Sequence, residues 1–469
     1  MRLAALVFTL ALPAAAAMRG LPPSVHDALA RAGVPDSAAA VVVEPVESGT
    51  PVVALRADAP VNPASVMKLL TSYAALDLLG PAFTFKTDVL LAGELSADGV
   101  LDGDLVIRGG GDPKLTYERV WQLMHALRSR GLREVKGDIV IDRSYFTAPA
   151  YDPGRFDNEP KRGYNVGPDA FLVNFQAVQF HFAPEGDTVR VTAEPDLPSV
   201  EIATRVKVVK EPCGWWRRNL QYDVQQNGML ALVSFSGTMP SECDEKTFTL
   251  AVLDAAAYTE AVLRWTWSEA GGVLRGKVRA GKAPDNARLF YRDESEPLEN
   301  LVRDMNKFSN NVMARQIYLA LSAQRPGEPA SEAASEAIVR DWLKSKSIDA
   351  PGLVIDNGSG LSRETRITAG TLAALLRSAW ASPYMPELAS SLPLFGTDGT
   401  LKLRPASGAA GHAHLKGGTL NGVQSLAGYV IDVKGRRWIA VMIVNHGNAN
   451  AAQPALDALV EWVHEGAPR

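Results

Sequence analysis

The sequence predicts an α+β protein in which a helix-flanked antiparallel sheet is assembled from both ends of the chain. Two observations predict it. Residues 86–284 read as short alternating strands broken by glycine and proline, whereas the parts on either side mix helical spacing with apolar strands. Each flanking part is also incomplete, with apolar faces that the other part is able to cover. One discontinuous domain of residues 18–85 and 285–469, carrying a β-rich insertion over 86–284, is the economical arrangement.

The elements follow in order. Met1 to Ala17 has the form of a secretory signal: Arg2, an apolar run from Ala4 to Leu12, and small residues at Ala15-Ala16-Ala17. That run is short of a membrane span, and export to the periplasm is expected. Ser24 to Ala32 reads as a helix ending at Gly33-Val34-Pro35. A strand over Ala38–Val43, a turn at Glu47-Ser48-Gly49 and a strand over Pro51–Leu55 come next. The stretch from Asn62 to Gly80-Pro81 is apolar almost all round and predicts a buried helix, with Asn62 as its cap and Pro63 at its first position.

The insertion is expected to hold strands such as Val89–Ala92, Leu105–Ile107, Asp138–Ile141 and Val189–Thr192, interrupted by one helix over Tyr117–Ser129. It has the length for two subdomains. Helical spacing returns at Leu298, Leu301, Val302, Met305 and Phe308, breaks at Ser309-Asn310-Asn311, and resumes through Val312 to Leu321. Further helices are expected over Ala330–Lys344 and Thr371–Trp380, with a loop over Asp356–Arg363. After Gly399 the chain turns to strands at His412–Lys416, Ser425–Val433 and Arg437–Asn445, with a tight turn at Lys434-Gly435. An amphipathic helix over Ala455–Val463 closes the chain.

Composition excludes more than it identifies. Formal net charge is −4 with both signs dispersed, which gives no footprint for nucleic acid. The two cysteines, Cys213 and Cys243, could close a loop of roughly 30 residues worth about 3 kcal/mol, or remain buried thiols. His412 and His414 are two apart, but no third ligand and no His-Glu-x-x-His motif accompany them. No cofactor is implied.

Three short signals carry chemistry: Ser65-x-x-Lys68 on the buried helix, Ser309-Asn310-Asn311 at the helical break, and Lys416-Gly417-Gly418-Thr419 at a strand end. Ser-x-x-Lys alone reads as a capping serine and a lysine whose head reaches water. Ser309 to Asn311 alone reads as a helix cap, and Lys416 as a solvated strand lysine. Together, in this order, they resemble the penicillin-recognising serine acyltransferases. The chain is most similar within them to the low-molecular-mass penicillin-binding proteins of the D-alanyl-D-alanine carboxypeptidase and endopeptidase type. Arg108-Gly109-Gly110-Gly111-Asp112-Pro113, Asp356–Ser362, Asp398–Leu401 and Ser425–Val430 strengthen that likeness, which covers nearly the whole mature chain.

The resemblance implies a penicillin-binding/β-lactamase-like domain, peptidoglycan stem peptides as substrate, and β-lactams as acylating inhibitors. It implies Ser65 as nucleophile, Lys68 as its base, and Ser309, Asn311 and Lys416 as proton-relay and binding groups. The amides of Ser65 and Thr419 are its implied oxyanion donors, with Gly417 and Gly418 letting a peptide approach the strand. Physical chemistry supports such roles, since a serine hydroxyl needs a base and a lysine serves only when neutral. Burial beside a second cation lowers a lysine toward that state. One departure stands out: Gly417 replaces the threonine of Lys-Thr-Gly. Losing one hydrogen bond to a carboxylate costs about 1.5–3 kcal/mol, and the loss of a nucleophile about a millionfold in rate. Weakened carboxylate recognition or a shift in preference toward internal cross-links, not lost acylation, is therefore expected, and Thr419 is a candidate for the missing donor. The rivals are a β-lactamase on the same scaffold, a wall-binding homologue without turnover, and a metallopeptidase using His412 and His414.

Overall fold

The computed structural model describes residues 20–147, 151–323, 328–405 and 407–467. The expected signal peptide lies outside them. The fold is α+β, and the chain forms two compact units. The first comprises Met1–Val66, Lys346–Val354 and Glu364–Arg469, and the second Met67–Ser345 and Ile355–Arg363.

The first unit is built on one five-stranded antiparallel sheet. Its strands run in the order Ala413–Leu420, Val423–Ile431, Arg437–Asn445, Ala39–Pro45 and Val53–Leu55. The strand near the chain's beginning thus pairs with one near its end, from Ala39 opposite Val444 to Pro45 opposite Trp438. Helices Pro23–Arg31 and Gln453–His464 pack together against the sheet. Val25, Leu29, Val41, Val43, Leu426, Met442, Leu456 and Val460 form one buried cluster there. Helix Ala369–Trp380 is capped by Thr368, whose hydroxyl accepts from Thr371 N, and it contacts the strands Ala39–Pro45 and Arg437–Asn445. The tight turn expected at Lys434-Gly435 is present: Gly435 N donates to Asp432 O at 2.8 Å, and Asp432 N to Arg436 O at 3.0 Å. The Asp432 carboxylate braces it, accepting from the backbone of Lys434 and Arg436 and from the Trp438 indole. His412 falls just before its strand and stacks on His464, with ring centroids 4.9 Å apart.

The second unit holds two sheets. A seven-stranded one centres on Lys86–Leu95 and Val100–Arg108, and a six-stranded one on Val200–Val209 and Leu230–Pro240. A shared cluster including Val89, Ile107, Leu123, Phe180, Phe235 and Val262 lies beneath them. Tyr117–Ser129 is helical as expected, but the region holds a second helix, Ala255–Glu269. Asp254 caps it by accepting from Ala257 N, and it buries Tyr258, Val262, Leu263 and Trp267. The strand-rich texture around it conceals this helix from a reading of periodicity. Cys213 and Cys243 are joined as a disulfide. Helices Lys68–Leu79, Leu298–Lys307, Asn311–Ala323 and Glu332–Ser345 complete the unit, and the Trp342 indole donates to Asp77.

Candidate active site

In the first unit, Ser65 lies in a single 3-10 turn, Ala64–Met67, that precedes the α-helix. Pro63 therefore stands outside the helix and not at its first position. Asn62 does act at this terminus: its side-chain oxygen accepts from Ala64 N at 2.9 Å. Asn445 clamps Asn62 in turn, accepting from its N–H at 2.8 Å and donating to its carbonyl at 2.9 Å. Ala64 is held at φ +47°, a left-handed conformation that costs an L-residue energy and persists where its surroundings impose it. The strained residue immediately precedes the serine.

The strand Ala413–Leu420 runs against this turn. A Cβ on Gly418 would lie 2.8 Å from Ser65 N and Pro63 O, and 2.5 Å from Ser425 Oγ, so a side chain there is excluded. Ser425 Oγ donates to Pro63 O at 2.6 Å and completes the junction. Lys416 is two residues before Gly418 and so shares its face of the strand. It is wholly buried, its ammonium donates to Gly417 O at 2.7 Å, and burial pulls its pKa from 10.5 to about 7. Gly417 and Thr419 take the opposite face. At Gly417 a Cβ would meet nothing closer than Leu401 Cδ2 at 3.5 Å, so the place is open to a side chain. The Thr419 hydroxyl donates to Gln424 Oε1 at 2.8 Å.

In the second unit, Lys68 opens the helix Lys68–Leu79 and is fully buried. Its Nζ donates to Asn311 Oδ1 and to the carbonyl of Ser359, each at 2.7 Å. The break between helices that presents Asn311 has a clear local cause. Ser309 adopts φ +55°, and Asn310 caps the next helix by accepting from Met313 N at 3.0 Å. With Asn310 capping, Asn311 is left to face the lysine. The loop 356–363 is braced by Asn357 Oδ1, which accepts from Ser359 N and Oγ, and by Thr71, which donates to Gly358 O at 2.6 Å. A buried ammonium between an amide oxygen and a backbone carbonyl has two of its three protons taken up by neutral acceptors.

Residues 21–465 match the D-Ala-D-Ala carboxypeptidase 3 (S13) family. The chain belongs to that family. It is 28% identical over 438 residues to the D-alanyl-D-alanine carboxypeptidase of Actinomadura sp. strain R39, across 87% of this chain and 78% of the relative. It is 26% identical over 393 residues to D-alanyl-D-alanine carboxypeptidase DacB of Haemophilus influenzae, across 81% and 80% of the two chains. Among solved structures, penicillin-binding protein 4 of Haemophilus influenzae superposes with a TM-score of 0.76 at 23% identity, covering 93% of this chain and 99% of that one. That protein has also been solved with a β-lactam bound, and the likeness carries the fold of the S13 chain described above.

Within this S13 chain, Ser65, Gly418 and Ser425 meet in the first unit, and Lys68 and Asn311 in the second. Ser65 and Lys68 lie three residues apart on one helical stretch, and the chain passes between the units at Val66 and Met67. The Ser359 carbonyl and the Asn62–Asn445 clamp are site features that the sequence motifs do not assign. Asn357-Gly358-Ser359-Gly360 marks the first as a tight loop, but a backbone acceptor carries no residue-type signal. In the inserted region, Asp157 accepts from Tyr164 and Asn165, and Glu159 from Tyr222. Among the described residues there is no group of three or more His, Cys, Asp or Glu that could hold a metal ion. No helix among them is long and apolar enough to cross a membrane.

Proposed function

We propose that the protein is an exported serine D-Ala-D-Ala carboxypeptidase and endopeptidase that acts on peptidoglycan stem peptides through an acyl-enzyme on Ser65. The catalytic domain on this reading comprises residues 18–85 and 285–469, with 86–284 inserted. The observation that carries it is the Lys68 ammonium, buried and held by Asn311 Oδ1 and Ser359 O three residues along the helical stretch from Ser65. A lysine serves as a base only when neutral, and burial disfavours the charged form of such a group.

On this reading neutral Lys68 takes the proton as Ser65 Oγ attacks the carbonyl carbon of the penultimate D-Ala. The oxyanion accepts hydrogen bonds from the amides of Ser65 and Thr419. The C–N bond then breaks, Ser309 passes a proton to the departing amine, and water later cleaves the ester. Lys416 and Thr419 meet the substrate carboxylate, and Gly417 and Gly418 let the stem peptide extend the sheet. A β-lactam would open on the same hydroxyl, as the bound β-lactam in the Haemophilus structure suggests for that protein.

The experiment is to incubate the purified mature chain and its Ser65→Ala variant with a fluorescent penicillin, a stem pentapeptide and a cross-linked muropeptide dimer. The expected result is labelling, release of D-Ala and dimer cleavage, all lost in the variant. Labelling that survives Ser65→Ala would overturn the mechanism, and labelling without turnover would make the chain a wall-binding homologue.

A further inference from the structure

The chain that leads into Ser65 is held residue by residue from within the first unit. Val61 pairs with Ile367, its N–H donating to the Ile367 carbonyl at 3.1 Å and its carbonyl accepting from Ile367 N at 3.0 Å. Asn62 pairs with the side chain of Asn445, the last residue of strand Arg437–Asn445, through one bond in each direction. Pro63 has no N–H to give, and its carbonyl accepts from Ser425 Oγ. Ala64 N then donates to the Asn62 side chain. Four consecutive residues are thus fixed, and the last of them carries the left-handed φ of +47°.

An alanine in that conformation relaxes unless its surroundings forbid it, because its Cβ crowds the backbone. Asn445 is well placed to forbid it. Its amide accepts from the N–H of Asn62 and donates to the carbonyl of Asn62, so neither peptide flanking Asn62 is able to turn without breaking a bond. The side chain of the same Asn62 holds Ala64 N. Asn445 therefore acts on Ala64 through Asn62, and Ala64 is joined directly to Ser65. A clamp serving stability alone would let the neighbouring residue relax. This one keeps a costly conformation in place beside the serine.

We propose that Asn445 is a positioning residue for the Ser65 nucleophile. By clamping Asn62 it keeps Ala64 left-handed, and that sets the direction in which the chain presents Ser65. The proposal rests on Ser65 being the acylated residue, as argued under the proposed function, and Asn445 itself meets no reacting atom. Without the clamp the left-handed state is disfavoured by about 5- to 30-fold. Acylation slows by the same factor, because only the competent fraction of molecules reacts.

The test follows the rate and the final stoichiometry with which a fluorescent penicillin labels the mature protein. Asn445→Ala should label fully but about 5- to 30-fold more slowly than wild type. Glycine adopts a positive φ without steric cost. Adding Ala64→Gly should therefore return most of the lost rate without raising the thermal midpoint. Asn445→Asp, equal in size, keeps an acceptor for Asn62 N–H and loses the donor. It should be slowed and rescued in the same way, and it stands in for the alanine variant should that one fail to fold. A wild-type rate in the Asn445 variants, with or without reduced stoichiometry, would make the clamp merely structural and overturn the proposal. Slowing that Ala64→Gly leaves untouched would overturn it as well. Labelling that persists in Ser65→Ala would overturn the nucleophile assignment itself, which keeps the two failures apart.

Discussion

Adjacent glycines in the strand Ala413–Leu420 occupy opposite situations. Gly418 is obligatory, because any Cβ would press on Ser65 N and Pro63 O, whereas Gly417 borders open space. Gly418→Ala is therefore expected to cost about 1–3 kcal/mol and to slow penicillin acylation, read by stopped-flow labelling. On the proposed mechanism, Gly417→Thr should fold normally and supply a hydroxyl for the stem-peptide carboxylate, raising kcat/KM on a pentapeptide by about 10- to 150-fold. No gain would show that Thr419 already supplies that bond. Lys416 gives a pH prediction. The unfolded chain keeps the proton up to 10.5, and the folded chain gives it up near 7. Between those values the unfolded state binds the extra proton, so stability rises with pH through this window. Urea midpoints at pH 7 and 9 should show that rise in the wild type and a flatter response in Lys416→Met.

At the scale of elements, the break between Leu298–Lys307 and Asn311–Ala323 matters more than either helix. Asn310 fills the role of helix cap and Ser309 takes the positive φ, which together orient Asn311 toward Lys68. Asn310→Ala should lower stability by about 1 kcal/mol, the worth of a lost cap. It should also depress acylation by more than that loss of folded protein accounts for, because Asn311 would lose its bearing. Equal losses in both would reduce Asn310 to a structural cap. The break was legible from Ser309-Asn310-Asn311 interrupting an apolar period. The division of labour among the three was not, because asparagine caps and asparagine ligands look alike in a sequence.

At the scale of the molecule, the first unit depends on chain ends hundreds of residues apart. Helix Gln453–His464 buries Leu456, Leu459, Val460 and Val463 in a core shared with Val25, Leu29 and Val41. Four such side chains contribute about 1.5–3 kcal/mol each, which rivals the whole net stability of a domain at about 5–15 kcal/mol. A chain ending at residue 447 should therefore leave the first unit unfolded, with rapid amide exchange across Ala39–Pro45, while amides of the six-stranded sheet stay protected. Protection of Ala39–Pro45 in that truncated chain would contradict a shared core.

The sequence by itself determined most element types outside helix Ala255–Glu269, the order of Ser65-Lys68, Ser309-Asn311 and Lys416-Thr419, and the need for each end of the chain to find a partner. Those properties are local, set by periodicity, caps and glycine. Tertiary structure alone decided that Gly418 is required and Gly417 is not, that Asn445 pins the start of the serine's helix, and that a Ser359 carbonyl receives Lys68. Each is a matter of one backbone approaching another across a large separation in sequence, and the residue types leave such distances unstated.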